Sequence, residues 1–172
     1  MKNLRLLAFA AVAIAFGSCS SDDNSDNNNN NNSGSIEGTY NLTEFNTSTP
    51  TDFDEDGTSS TNQVNESECY DDVQLTLRAD NTFTYDIGYI TVNNADGSDT
   101  CTDYTVNGTW RATNSTITVT YEYNGSTETV NFARSNEGKR LTETRALTTF
   151  PNRNGDGAAI NTVGSVQLVF EK

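Results

Sequence analysis

The stretch Asp52-Phe53-Asp54-Glu55-Asp56-Gly57 is where residue types and spacing could do chemistry. Carboxylates at alternating positions, followed by a glycine that permits a sharp turn, let one loop aim several hard oxygens at a calcium ion. Counted along a twelve-position calcium loop, Asp52, Asp54 and Asp56 take positions 1, 3 and 5, Gly57 position 6, the Thr58 carbonyl position 7 and Ser60 position 9. Position 12 falls on Gln63, which has no carboxylate, so Glu66 or Glu68 would have to complete the shell by another path. The expected ion is Ca2+ in a structural role, held in the weak range of about 10⁻⁴–10⁻³ M typical of extracellular modules. The competing reading is an acidic, solvated connection. Asn152-Arg153-Asn154-Gly155-Asp156-Gly157 echoes the spacing, but with one carboxylate and an arginine inside it reads as a Gly-rich turn.

Enzymatic chemistry has little to work with. The chain has no histidine, which removes triads with a histidine base and most zinc chemistry. A carboxylate pair could still run glycoside hydrolysis, yet nothing in the spacing of the acids singles out such a pair. The expectation is a protein that is not an enzyme.

The N-terminus carries an address. Lys2 and Arg5 precede an apolar run from Leu6 to Phe16, then Gly17-Ser18-Cys19 and Ser20-Ser21-Asp22-Asp23-Asn24. This resembles a bacterial lipoprotein signal, which implies removal of residues 1–18 and acylation of Cys19, palmitate among the chains. The acidic stretch after Cys19 is similar to the export tag of Bacteroidetes lipoproteins and implies the outer face of the outer membrane. The apolar run is shorter than the roughly 20 residues that span a bilayer, so contact with the membrane is expected through lipid alone. Residues 20–35, with an unbroken run from Asn27 to Asn32, offer nothing to bury and read as a tether holding the domain about 20 Å from the membrane.

With Cys19 acylated, Cys69 and Cys101 remain in an oxidising compartment and are expected to pair. Two free buried thiols are the alternative. As nucleophiles they lack a histidine to activate them.

The chain has 10 Lys and Arg against 24 Asp and Glu; losing Lys2 and Arg5 with the leader takes the formal charge from −14 to −16. A surface so acidic has no basic stripe to neutralise phosphates, so nucleic acid is excluded as a partner.

Residues 36–172 suffice for one domain, and their wealth of Thr, Asn, Val and Tyr favours β structure. Alternation and turn signals predict eight strands, over residues 39–45, 71–78, 82–93, 103–112, 115–123, 127–133, 140–148 and 164–172. Asn124-Gly125 suits a two-residue hairpin, and further turns fall at Asp96-Gly97 and Glu137-Gly138. One face of these strands is repeatedly apolar, as in Val73, Leu75 and Leu77 or Ile117, Val119 and Tyr121. The expected fold is therefore all-β, an antiparallel meander closed into a barrel or, alternatively, left as an open sandwich. On the strand from 140, Leu141, Glu143, Arg145 and Leu147 share parity. Either a charged pair points inward with the leucines, or a bulge breaks the pattern.

Gly38-Thr39-Tyr40-Asn41-Leu42, the segment from Leu75 to Phe83, Gly108-Thr109-Trp110 and the closing Val166-Gln167-Leu168-Val169-Phe170 together resemble the small lipocalin-like lipoprotein domains of Bacteroidetes. The resemblance implies a lipocalin-like barrel over most of residues 36–172 and a cavity for a small molecule, but no reaction. Tyr40, Phe83, Trp110 and Tyr121 are the candidate lining, with Glu143 and Arg145 as a polar element. The functional expectation is a surface-tethered barrel that binds a small ligand. The alternative is a filled barrel, stiffened by calcium and a disulfide, serving as a structural or interaction module of an outer-membrane assembly.

Overall fold

The computed structural model describes residues 35–172; the leader, Cys19 and the Asn run lie outside them. Nine strands follow one another: β1 (Gly38–Thr51), β2 (Ser60–Asn62), β3 (Gln74–Leu77), β4 (Thr82–Val92), β5 (Asp99–Ala112), β6 (Thr116–Tyr123), β7 (Ser126–Ser135), β8 (Arg140–Arg153) and β9 (Ala159–Glu171). From β3 to β9 each strand pairs antiparallel with the next, β2 pairs with β1 alone, and β1 meets β3 on one edge and β9 on the other. Eight strands thus close into an up-and-down barrel, not an open sandwich. All eight predicted strands are present. The additional β2 lies along the second half of β1, where β3 does not reach.

Local sequence explains the turns. Asn124 and Gly125 both take positive φ (51° and 79°), as a two-residue hairpin between twisted strands requires. The barrel is sealed at the end where β1 starts and β9 finishes. There Tyr40, Leu77, Phe83, Ile117, Phe132, Leu141 and Phe170 are buried almost completely. Phe132 stands edge-on to Phe170 with centroids 5.7 Å apart. Two polar handles in this apolar end are satisfied: Trp110 Nε1 donates to the Arg78 carbonyl at 2.9 Å, and the Tyr40 hydroxyl lies 2.6 Å from the carbonyls of Ile36 and Gly138.

The other end flares, because three of the pairings stop short. Residues 108–112 of β5 pair with 117–121 of β6, only 133–135 of β7 pair with 140–142 of β8, and β3 covers only 83–86 of β4. The gap between the far halves of β1 and β4 is filled by the insert of residues 52–73. Its Tyr70 is buried edge-on to Phe45 at 5.0 Å, and Val73 accepts from the Leu42 amide at 2.9 Å. The insert is seated closely enough that a Cβ on Gly88 would run into the Cys69 carbonyl oxygen. A disulfide from Cys69 to Cys101 (Cα–Cα 5.3 Å) fixes it to β5.

Parity on β8 settles the question raised by its sequence, and both alternatives hold in succession. Leu141 and Glu143 face inward and are buried, and Arg145 shares their face. A register shift between Arg145 and Thr148 then turns Leu147 outward, 80% exposed, before Phe150 re-enters the core.

Candidate functional site

Two places at the flared end bring polar chemistry together. The first lies inside the barrel, where β7 and β8 part. Arg145 donates from Nε to Glu143 Oε1 at 2.6 Å and from Nη2 to Oε2 at 3.0 Å. Glu143 is 8% exposed, whereas the Arg145 side chain is 47% exposed, so a buried carboxylate is neutralised by a guanidinium that reaches toward solvent. Burial works against the Arg145 charge, but hydrogen bonding and attraction from Glu143 outweigh it and hold its pKa above the ordinary value.

Beside this pair is a partly enclosed chamber of about 240 Å³, walled by Leu42, Phe45, Tyr70, Tyr85, Leu168 and Arg145, with Tyr89 at its rim. From Tyr89 on β4 a row of rings runs across β5 to β6. Tyr89 is edge-on to Tyr104 at 5.9 Å, and Tyr104 stacks on Tyr123 at 5.2 Å with 27° between planes. Tyr89 and Tyr123, each 39% exposed, keep part of their rings in water. Tyr121 stands near the ion pair. Burial, and then the Glu128 charge, raise its pKa, and burial pushes Tyr104 up to about 12. These hydroxyls stay protonated at neutral pH and can both donate and accept.

The second place is the acidic loop. Asp52, Asp54 and Glu66 each bring a carboxylate oxygen within 4.8 Å of the others. Of the two glutamates that could have closed the shell, Glu66 is the one the fold turns inward, because the 3-10 turn at Gln63–Asn65 reverses the chain just before it. It is 3% exposed and accepts from the Phe53 amide at 2.7 Å. Burial raises its pKa and the charges of Asp54 and Asp52 add to the rise, against the Phe53 hydrogen bond. No cationic side chain pairs with any of the three among the described residues. Asp56 instead accepts from the Thr58 amide at 2.7 Å, and Ser60 Oγ accepts from the Asn62 amide at 2.9 Å. Gln63 is fully buried and donates to Thr51 Oγ1 at 2.5 Å, while its Oε1 has no protein partner.

Arg153, inside the second Gly-rich stretch, is the clasp of this end. Its Nε donates to the Phe53 carbonyl at 3.0 Å, its guanidinium lies 4.3 Å from the centre of the Phe53 ring, and Nη1 pairs with Asp99 at 2.9 Å. That stretch is the β8–β9 turn, with Asn154 Oδ1 accepting from the amides of Asp156 and Ala158. A broader groove of about 630 Å³ on the outer wall, bordered by Glu68, Asp72, Asp86 and Asp103, opens widely to solvent.

Of the side chains proposed as lining, Arg145 borders the chamber and Glu143 holds it. Tyr121 packs on Phe83 with centroids at 6.1 Å, and Tyr40, Phe83 and Trp110 fill the sealed end. Sequence reading missed Tyr89, Tyr104 and Arg153. The tyrosines carried a usable signal, since Tyr85, Ile87 and Tyr89 share strand parity, as do Tyr104 and Val106. No family model matches the chain, and neither a curated protein nor a solved structure does.

Proposed function

We propose that this chain is a lipid-anchored, surface-exposed outer-membrane lipoprotein whose lipocalin-like barrel binds a small ligand in the chamber beside Arg145, without catalysis. Supporting this reading above all is the company the chamber keeps. A barrel that served only as scaffold would gain by filling a void of about 240 Å³ and by replacing an inward Glu143–Arg145 pair with apolar side chains. Both features sit together at the one end where strand pairing lapses and a molecule can enter. The volume falls below the roughly 300–1,000 Å³ of drug-sized pockets, which restricts the ligand to about one ring. The same reading gives Asp52, Asp54 and Glu66 a structural calcium, with the unpaired Gln63 Oε1 a further oxygen in that insert.

The test is amide-resolved NMR of the full chain carrying Cys19→Ser, titrated with cyclohexanol and indole, alongside Leu168→Trp. Shifts confined to the chamber walls that the tryptophan abolishes are the expected result. Shifts that persist in the filled variant, or no shifts at all, would overturn the proposal.

A further inference from the structure

We infer that the ligand taken at this mouth is a neutral saccharide, one pyranose-sized ring seated in the chamber with its continuation laid along the tyrosine row. The inference rests on the ligand-binding reading above and narrows it to a chemical class.

Three properties of the mouth select that class. The first is charge. Glu143 and Arg145 cancel one another, so the site has no net ion to offer an anion or a cation, and an anion must also approach a chain of formal charge −14. A neutral molecule meets no such barrier.

The second property is the kind of surface. Tyr89, Tyr104 and Tyr123 form a continuous row, with the outer two partly in water. A fatty chain would draw on an enclosed aliphatic tunnel, whereas here Tyr89 joins the chamber wall to a row of rings whose two ends are wet. Ring faces of this kind suit a molecule with an apolar C–H face and a hydroxylated edge.

Hydrogen-bonding capacity is the third. The Arg145 guanidinium has five N–H donors in a planar fork and spends two nitrogens on Glu143, leaving Nη1 for a ligand hydroxyl. The Tyr104 and Tyr121 hydroxyls, their pKa values raised by burial, both donate and accept. Thr149 and Asn161 on the chamber wall add short polar side chains to the apolar floor of Leu42, Phe45 and Leu168. Alternating apolar contact and hydroxyl-matching groups is what distinguishes a sugar site from a purely greasy pocket.

The experiment uses the full chain with Cys19→Ser and follows amide shifts on adding glucose, galactose, N-acetylglucosamine and maltose, with indole and cyclohexanol as apolar probes. Saccharide-induced shifts at Tyr89, Tyr104 and Arg145 are expected, with affinity weakened about tenfold in Tyr123→Ala and in Tyr89→Ala. Both positions are partly exposed, so the variants should fold, and an unchanged spectrum away from the mouth checks that they do. Binding of indole or cyclohexanol with no response to any saccharide would overturn this inference and leave the ligand-binding reading standing. Silence toward both classes would overturn the two together. Saccharide binding indifferent to both tyrosine substitutions would place the sugar elsewhere and sink the assignment to this mouth.

Discussion

At the scale of single residues, the acidic loop is governed by Glu66. Its carboxylate is almost fully buried, faces Asp52 and Asp54, and is held by a backbone amide, with no ion-pair partner among the described residues. Burial, with the two aspartates, raises its pKa above the ordinary 4.5, so the folded chain holds this proton more tightly than the unfolded one. The contribution to stability is then complete below the unfolded value and is lost as pH rises through the folded value. In chelator, wild type should therefore lose stability relative to Glu66→Gln as pH rises above the ordinary 4.5 and through the raised folded value. Millimolar calcium should flatten the difference by favouring the ionised carboxylate. Melting temperatures of both proteins across that range provide the check, and parallel curves would remove Glu66 from the account. The spacing of acids made an acidic, sharply turning loop legible and narrowed the carboxylate that joins it to two glutamates. It could not choose between them, because the choice depends on a three-residue turn that reverses the chain at Gln63.

At the scale of elements, the insert of residues 52–73 is a patch in the barrel wall, and its attachment is what sequence reading reached least well. The eight strands announced themselves by alternation and by turns such as Asn124-Gly125. β2 is three residues long, too short for a period of two to register, and the far halves of β8 and β9 hid behind the bulge after Arg145. The pairing of Cys69 with Cys101 was legible once Cys19 was set aside; that it ties the patch to the flared part of β5, over a close approach at Gly88, was not. The bridge spans 32 positions, and in the chain-entropy account its loss from such a loop costs about 3–4 kcal/mol. The double variant Cys69→Ala/Cys101→Ala should show that loss in denaturant unfolding. Hydrogen exchange should quicken first at Tyr70 and Val73, while β1, β8 and β9 at the sealed end keep their protection. Uniform loss of protection across the barrel would mean that the patch and the sealed end unfold as one unit.

At the scale of the whole molecule, what composition declared most plainly was charge, and the fold leaves most of it where water can reach. The chain carries 24 acidic against 10 basic side chains, and among the described residues the pairs that form are few: Arg140 with Glu44 and Glu171, Arg145 with Glu143, and Arg153 with Asp99. Two opposing effects follow from added salt. Screening weakens these pairs, of which the more exposed contribute about 0–1 kcal/mol each. It also relieves the mutual repulsion of the unpaired carboxylates, which act over a Debye length of about 30 Å at 0.01 M salt but about 8 Å at 0.15 M. With carboxylates outnumbering cations by more than two to one, repulsion dominates the balance. The melting temperature should therefore rise from low to physiological sodium chloride in the presence of chelator, before any specific ion is considered. A flat or falling curve would mean that the three Arg-centred networks outweigh the general field. The barrel would then owe more to the Arg153 clasp and the Arg140 pairs at its seam than to the apolar packing of its sealed end.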